Sequence, residues 1–172
     1  MNRKRHTIIL STAGRRRAMN TISEKIIHYR PPRISMLFLV LASAMQWVLP
    51  PVRVEVFTSP ILAVYTAVAG FTAMIWAWWL FQKAETAICP TADSAVLVTT
   101  GVYRVTRNPM YLGMVLMMGG MALWFGTLPY YLAAVLYFLV INQFFCPFEE
   151  QQLIAAFGRE YSEYRRNVRR WV

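Results

Sequence analysis

Between Arg107 and Glu150 the chain reads RNPMYLGMVLMMGGMALWFGTLPYYLAAVLYFLVINQFFCPFEE, and residues 108–148 carry no charged side chain. A helix needs about 20 apolar residues to cross a membrane, so this stretch is long enough for two crossings. Gly126-Thr-Leu-Pro129 predicts a tight turn in its middle. A helical hairpin of this kind would bring its two polar ends to the same membrane surface.

The composition indicates that this chain is solvated by lipid. Charged residues make up 15% of the 172 residues and hydrophobic residues 57%, whereas soluble domains have about 25% charged residues. Four apolar stretches are candidate crossings: Ile34–Leu49, Pro60–Phe81, Pro109–Phe125 and Tyr130–Phe145. We therefore predict an all-α, polytopic membrane protein with four transmembrane helices.

The basic residues predict the domain organisation and orientation. Residues 1–33 contain nine Lys or Arg and one acidic residue, and we predict a cytoplasmic tail there, flexible or interfacial, followed by a single membrane domain over residues 34–172. Basic residues also occur in the loop 82–108 and near the C-terminus. The positive-inside rule places both termini and this loop in the cytoplasm, which indicates a multi-pass protein of a bacterial inner membrane or its equivalent.

The net charge of +10 does not indicate a nucleic-acid partner, because the basic residues flank apolar spans and no nucleic-acid-binding motif accompanies them. Attraction to anionic lipid headgroups explains them more simply. Membrane lipids and a lipophilic substrate are the predicted partners. The sequence does not specify an oligomeric state.

The start of the hairpin has features of a ligand-binding helix terminus. Asn108-Pro109 predicts that a helix begins at the proline, and the free N–H groups of such a terminus suit a carboxylate or phosphate. Within this helix Gly119 and Gly120 favour close packing against another helix. Gly113 allows either the same packing or a ligand lying against the helix.

From Glu149 onward the chain predicts an amphipathic helix. Its apolar residues recur at spacings of three or four, as expected for one helical face: Leu153, Phe157, Tyr161, Tyr164 and Val168. Gly158 is a candidate interruption. Such a helix either anchors the chain at the interface or covers the open end of the hairpin, and the pattern alone leaves both interpretations open.

The inventory of reactive groups excludes several chemistries. No phosphate-binding loop, dinucleotide-binding fingerprint, zinc motif or nucleophile elbow occurs, and both histidines lie in the basic tail. Cys89 and Cys146 lack metal-ligand spacing, so we predict no metal. Glu149 and Glu150 would diverge by about 100° on a helix, and periodicity does not decide which faces a site.

Several blocks in the second half of the chain occur in the order seen in one enzyme family. They are Leu97-Val-Thr-Thr-Gly-Val-Tyr-Arg104, Arg107-Asn-Pro-Met-Tyr-Leu-Gly113, Glu149-Glu-x-x-Leu153, Phe157-Gly-x-Glu-Tyr161 and Val168-Arg-Arg-Trp171. From about Lys83 to its end the chain thus resembles the isoprenylcysteine carboxyl methyltransferases, whose relatives include the phospholipid N-methyltransferases.

The resemblance implies an integral membrane enzyme that binds S-adenosylmethionine at the cytosolic face, between the loop, the start of the hairpin and the C-terminal segment. Carried over to this chain, the implied cofactor-binding residues are Val96, Leu97, Val98, Tyr103, Asn108, Pro109, Met110, Tyr111 and Glu149. The implied catalytic residues are Arg107, Tyr111 and Glu150. Gln143 and Arg104 are the candidate substrate-binding residues.

The expected acceptor is a lipophilic molecule with an isoprenylcysteine-like carboxylate or another carboxyl, amine or hydroxyl group. Phe145 and Gln143 stand where relatives are expected to carry a substrate-binding arginine, so a carboxylate acceptor would need another cation. Two alternatives remain: an NADPH-dependent membrane reductase of the sterol-reductase-like type, and a non-catalytic membrane adaptor.

Overall fold

The structure is a computed structural model and describes residues 31–48, 58–84 and 96–172. The regular secondary structure of the described residues is helical, with no strand, which confirms the all-α prediction. Their α-helices are α1 (Pro31–Val48), α2 (Pro60–Lys83), α3 (Pro109–Phe125), α4 (Leu128–Val140) and α5 (Cys146–Asn167). A 3₁₀ helix spans Gly101–Arg104, and a π-helical turn, Ile141–Phe145, joins α4 to α5 without a loop. The predicted tail up to residue 30 and loop residues 85–95 lie outside the described residues.

Local sequence signals fix where the helices begin and end. Proline occupies the first turn of α2, α3, α4 and α5, where its missing N–H leaves no helical hydrogen bond unmade. Helix α3 ends at Phe125, and the next residue, Gly126, adopts a left-handed conformation with φ of 62°. A Cβ atom there would lie 1.9 Å from Cγ2 of Thr58, so both conformation and space require glycine. The predicted turn between the hairpin helices is confirmed.

Helices α2 and α3 pack backbone against backbone through glycines. A Cβ atom on Gly70 would lie 2.5 Å from the carbonyl oxygen of Gly113, and one on Gly113 would lie 2.5 Å from that of Gly70. Gly120 approaches the carbonyl oxygen of Ala63 in the same way, at 2.9 Å, whereas nothing lies within 4 Å of a Cβ on Gly119. Helix packing therefore occupies Gly113 and Gly120, and the packing role predicted for Gly119 is wrong, because that position faces open space.

Polar contacts join α1 to the hairpin. The hydroxyl groups of Ser43 and Tyr130 share a hydrogen bond of 2.9 Å, and Thr127 donates to the side chain of Gln46 at 3.0 Å. Tyr137 is fully buried and donates to the sulfur of Met114. The first two contacts hold α1 against α4 and the residue before it, and the third joins α4 to α3.

Two described helices are long and apolar enough to cross a membrane by length and composition: α2, and the continuous helix Leu128–Asn167. Helix α3 is apolar but has 17 residues. Many large apolar side chains face outward, including Trp47, Phe71 and Trp124, as expected where lipid is the solvent. A membrane protein is supported, whereas the four crossings and their orientation stay predictions.

The glycine contacts between α2 and α3 lead to a test of the packing. Gly70→Ala and Gly113→Ala should each lower the free energy of unfolding by about 1–3 kcal/mol, because the added methyl group meets a backbone carbonyl that cannot move alone. Gly119→Ala is the matched control and should be neutral or stabilising. Thermal unfolding in detergent measures the three variants. A Gly113→Ala protein as stable as the wild type would contradict the described contact.

Candidate functional site

A cavity of about 400 Å³ lies where the loop before α3, the start of α3 and the start of α5 meet. All nine predicted cofactor-binding residues line it: Val96, Leu97, Val98, Tyr103, Asn108, Pro109, Met110, Tyr111 and Glu149. The three predicted catalytic residues, Arg107, Tyr111 and Glu150, line it as well. The structure therefore brings together residues some forty positions apart, at the two ends of the hairpin.

The two predicted substrate-binding residues lie elsewhere. The side chains of Arg104 and Gln143 are exposed, and neither residue lines the cavity. Asn142, next to Gln143, is bound to residues near the C-terminus through its side-chain oxygen. A role for Arg104 or Gln143 in binding an acceptor stays a prediction.

Other residues of the cavity wall were not assigned to a site from the sequence. Pro31, Pro32, Phe81 and Met114 belong to α1, α2 and α3, and no sequence motif marks them. The amphipathic face of α5 supplies Leu153, Phe157, Tyr161 and Tyr164. Their spacing predicted a common face, and the structure shows that this face closes the cavity. Gly158 interrupts α5, as predicted, with φ of 53°.

Glu149 is the carboxyl group that faces the cavity without a cationic partner among the described residues. The hydroxyl group of Tyr111 donates a hydrogen bond to its Oε1 atom. Burial raises the pKa of Glu149 to about 7, although the hydrogen bond from Tyr111 acts in the opposite direction. Near neutral pH this carboxyl group therefore exists in both protonation states, and a cation placed beside it would favour the ionised form.

Glu150 has the opposite environment. Its two carboxylate oxygens accept hydrogen bonds from Nε and Nη2 of Arg170, at 2.8 and 2.9 Å, and Nη1 of Arg107 lies 3.0 Å from Oε1. The Glu150 side chain is only 7% exposed. Burial alone would raise its pKa, but the hydrogen bonds from Arg170 and the charge of Arg107 outweigh burial and lower it. Glu150 is therefore an ionised member of a buried ion-pair network.

Arg107 connects this network to the cavity wall. Its side chain is 9% exposed, and its Nη1 atom also donates to the hydroxyl group of Tyr161 at 3.1 Å. The Nε atom is buried without a hydrogen-bond partner among the described residues. The backbone N–H of Arg107 donates to the carbonyl oxygen of Arg169 at 3.0 Å. Both the side chain and the backbone of Arg107 are thus held in place.

The N-terminus of α3 opens onto the cavity. Asn108 is the residue before the first helical turn, but its side chain does not cap the helix. Its amide group instead donates to the carbonyl oxygen of Arg170 at 3.3 Å. The N–H groups of Met110 and Tyr111 lie in the first turn, where the helix itself offers no acceptor. A small anion would be stabilised at this terminus.

Tyrosines form much of the polar surface of the cavity. Tyr103 contacts Phe81 edge-on, with ring centroids 5.5 Å apart, and its backbone oxygen accepts a hydrogen bond from the hydroxyl group of Tyr164. Burial raises the pKa of both Tyr103 and Tyr164 far above the ordinary value, so both hydroxyl groups stay neutral at physiological pH. The site therefore combines one cavity-facing carboxyl group and a helix N-terminus with aromatic walls. This arrangement suits a molecule that carries an ammonium and a carboxylate beside a planar or apolar part.

Comparisons with known proteins point to one family. The sequence model of the family described as phospholipid methyltransferase matches residues 58–160. A Haemophilus influenzae (strain ATCC 51907 / DSM 11121 / KW20 / Rd) protein, described only as an uncharacterized protein, is 41% identical over 63 residues, which are 37% of this chain and the whole of that protein. No solved structure matches.

The two adjacent carboxyl groups should respond differently to the same substitution. Glu150→Gln removes the anion shared by Arg107 and Arg170, and the loss of one partner from a buried ion pair costs about 3–5 kcal/mol of folding stability. Glu149→Gln breaks no ion pair of the described residues and should not destabilise the protein at pH 8. Thermal unfolding of both variants in detergent gives the comparison. Equal losses of stability would contradict the roles described above.

The pH dependence of stability has a defined sign for Glu149. Its folded-state pKa of about 7 lies above the ordinary value of 4.5, so its contribution to stability is complete below about 4.5 and is lost as the pH rises through 7. The stability of the wild type relative to Glu149→Gln should therefore decrease between pH 5 and pH 8. A difference that does not change over this range would contradict the buried position of the carboxyl group.

Proposed function

The chain belongs to the phospholipid methyltransferase family and is a membrane methyltransferase, and from this premise we propose that it transfers the methyl group of S-adenosylmethionine to a lipophilic acceptor. One observation carries the proposal: the Glu149–Tyr111 pair lies in a largely apolar cavity whose walls come mostly from the family-matched part of the chain. We place the reaction at the cytosolic face of the membrane, because the distribution of basic residues favours this orientation.

The chemistry of the cavity fits this cofactor. Its volume of about 400 Å³ lies within the range of about 300–1,000 Å³ for sites of drug-sized ligands. S-adenosylmethionine carries an ammonium, a carboxylate, a sulfonium and an adenine ring. The cavity offers a carboxyl group on Glu149, free N–H groups at the start of α3 and aromatic or apolar walls. The ammonium, the carboxylate and the adenine ring therefore each have a chemically suitable partner.

The roles of the residues follow from this correspondence. Ionised Glu149 would bind the ammonium group, and Tyr111 would orient the carboxylate through its hydrogen bond. The first-turn N–H groups of Met110 and Tyr111 would bind the cofactor's carboxylate. Val96, Leu97, Val98 and Tyr103 would contact the apolar parts of the cofactor. Arg107 and Glu150 would support this arrangement through their ion pair.

The demands on catalysis are modest. The bound cofactor supplies a methyl group that its sulfonium already activates, so the protein must mainly align the acceptor and exclude water. The amphipathic face of α5 covers the cavity with Leu153 and Phe157, which serves both purposes. The neutral tyrosines described above provide donors and acceptors of hydrogen bonds rather than strong bases. An acceptor with a nucleophilic carboxyl, amine or hydroxyl group is consistent with this site.

Cofactor binding tests the proposal directly. Isothermal titration of the detergent-purified protein with S-adenosylmethionine should show binding in the micromolar to millimolar range usual for substrates. Glu149→Gln should weaken it at least about tenfold, because the ammonium loses its counter-charge. Glu163→Gln is the matched control, since Glu163 is exposed and pairs only at the surface with Arg159. No binding of the wild type at millimolar cofactor would overturn the proposal.

Affinity should also depend on pH through Glu149. Below its pKa of about 7 affinity should fall by up to tenfold per pH unit, as the carboxyl group takes up a proton. Above pH about 8 the ammonium of the cofactor loses its proton and affinity should fall again. The acidic limb should be absent from Glu149→Gln. An acidic limb that persists in this variant would show that another group binds the ammonium.

The acceptor can be found with methyl-labelled cofactor. Membranes that contain the wild-type protein should incorporate label into an organic-extractable molecule, and membranes that contain Glu149→Gln should incorporate at least about tenfold less. Mass spectrometry of the labelled product then identifies which functional group received the methyl. Equal labelling in both membranes would contradict the proposal.

A further inference from the structure

The last residues of the chain fold back across the loop that precedes α3. Helix α5 ends at Asn167, and the chain continues from Val168 in an extended conformation. Backbone carbonyl groups then bind the loop: that of Arg169 accepts from the N–H of Arg107 at 3.0 Å, and that of Arg170 accepts from the hydroxyl group of Thr106 at 2.7 Å. We call Arg169–Trp171 the C-terminal latch.

The side chains of the latch contact Glu150, which lines the cavity, and residues of α4 and the π-helical turn, which do not. Arg170 binds both carboxylate oxygens of Glu150 at the start of α5, and its Nη1 atom donates to the side-chain and backbone oxygens of Asn142 at 3.2 and 3.3 Å. The indole N–H of Trp171 donates to the same Asn142 side chain at 2.9 Å, and its ring contacts Phe138. Asn142 lies in the π-helical turn, a distortion that often occurs at functional sites.

Arg170 itself does not line the cavity. It contacts Glu150, Glu150 contacts Arg107, and Arg107 belongs to the loop that leads into Asn108 and Tyr111. The next residue before Glu150 in α5 is Glu149. The latch therefore fixes the distance between the two sides of the proposed cofactor site, the start of α3 and the start of α5.

We propose that Arg170 is a positioning residue. Its bidentate contact with Glu150, together with the backbone hydrogen bonds of the latch, holds the loop of Arg107 and Asn108 against α5 in the geometry that binds the cofactor. The inference rests on the proposed methyltransferase function. Arg170 acts without touching cofactor or acceptor. Its loss should therefore act on cofactor affinity through the position of the loop, while the helix bundle stays folded.

Two substitutions at position 170 distinguish the effect of the planar two-point contact from the effect of the positive charge. Arg170→Gln removes the bidentate contact and should weaken the binding of S-adenosylmethionine at least about tenfold, because the buried carboxylate of Glu150 loses one of its two cationic partners. Arg170→Lys keeps the charge but cannot reproduce the planar two-point contact, so its affinity should be intermediate. Arg166→Gln is the matched control, because Arg166 is an exposed arginine of the same chain end. It should bind the cofactor within about twofold of the wild type.

A second measurement distinguishes positioning from general stability. Amide hydrogen exchange of the full-length, cofactor-free protein in detergent should rise in Arg170→Gln, and the rise should be larger at residues 105–111 than in α2 and α4. The double variant Glu150→Gln/Arg170→Gln should bind the cofactor no more weakly than Glu150→Gln alone, because Arg170 acts through Glu150. If the two substitutions lower the cofactor affinity additively, Arg170 does not act through Glu150.

The remaining outcomes are also decisive. If the wild type binds the cofactor and Arg170→Gln binds it within about twofold, the latch does not position the site and the inference fails while the proposed function stands. If exchange rises equally in every helix, Arg170 is a general stabilising residue and the inference is overturned. If the wild type does not bind S-adenosylmethionine, the proposed function fails and the inference fails with it.

Discussion

Two guanidinium groups share one buried carboxylate, and the site depends on this arrangement. Glu150 accepts from Arg170 along one edge and from Arg107 at Oε1, so three segments distant in sequence meet at a single anion. Burying a carboxylate lowers the folding stability unless its oxygens are fully paired. Both arginines must therefore stay in contact with Glu150. Because Arg107 lies immediately before Asn108 and Pro109, the ion pair also fixes the start of α3.

The same arrangement separates the roles of two neighbouring glutamates. Adjacent residues on a helix point about 100° apart, so only one can reach the arginines. Glu150 does, and its pKa is lowered; Glu149 faces the cavity, and burial raises its pKa. A carboxyl group of raised pKa has a strong tendency to take a cation, because a cation relieves the cost of its burial. The network around Glu150 thus leaves Glu149 available for a ligand.

Much of the architecture could be predicted from the sequence, because it depends on local signals. The Gly126–Pro129 turn and the Asn108-Pro109 helix start each depend on a few neighbouring residues, and the structure confirms both. The motif blocks likewise led to residues that line one cavity.

The remainder depends on contacts between distant segments. The rotation of α5 about its axis decides which glutamate contacts the arginines. The periodicity of the α5 sequence fits either Glu149 or Glu150 and therefore could not predict this rotation. Gly113 packs on Gly70 because α2 crosses there, and the sequence of α3 alone does not show which helix it packs against. The contribution of Pro31 and Pro32 to the cavity wall depends on where α1 lies. The contacts of Arg170 could not be predicted, because a basic residue near a chain end usually indicates only contact with lipid headgroups.

The glycine contact and the latch both restrain the start of α3. Gly113 lies one turn after Pro109, and its close approach to Gly70 fixes the first turns of α3 against α2. Two residues before Pro109, the backbone N–H of Arg107 donates to the latch. The N–H groups at the start of α3 are therefore restrained both by a close backbone contact in the helix pair and by a hydrogen bond to the latch. An anion site built from backbone N–H groups needs this double restraint, since a helix terminus without it frays within its first turn and would offer no fixed geometry to a ligand.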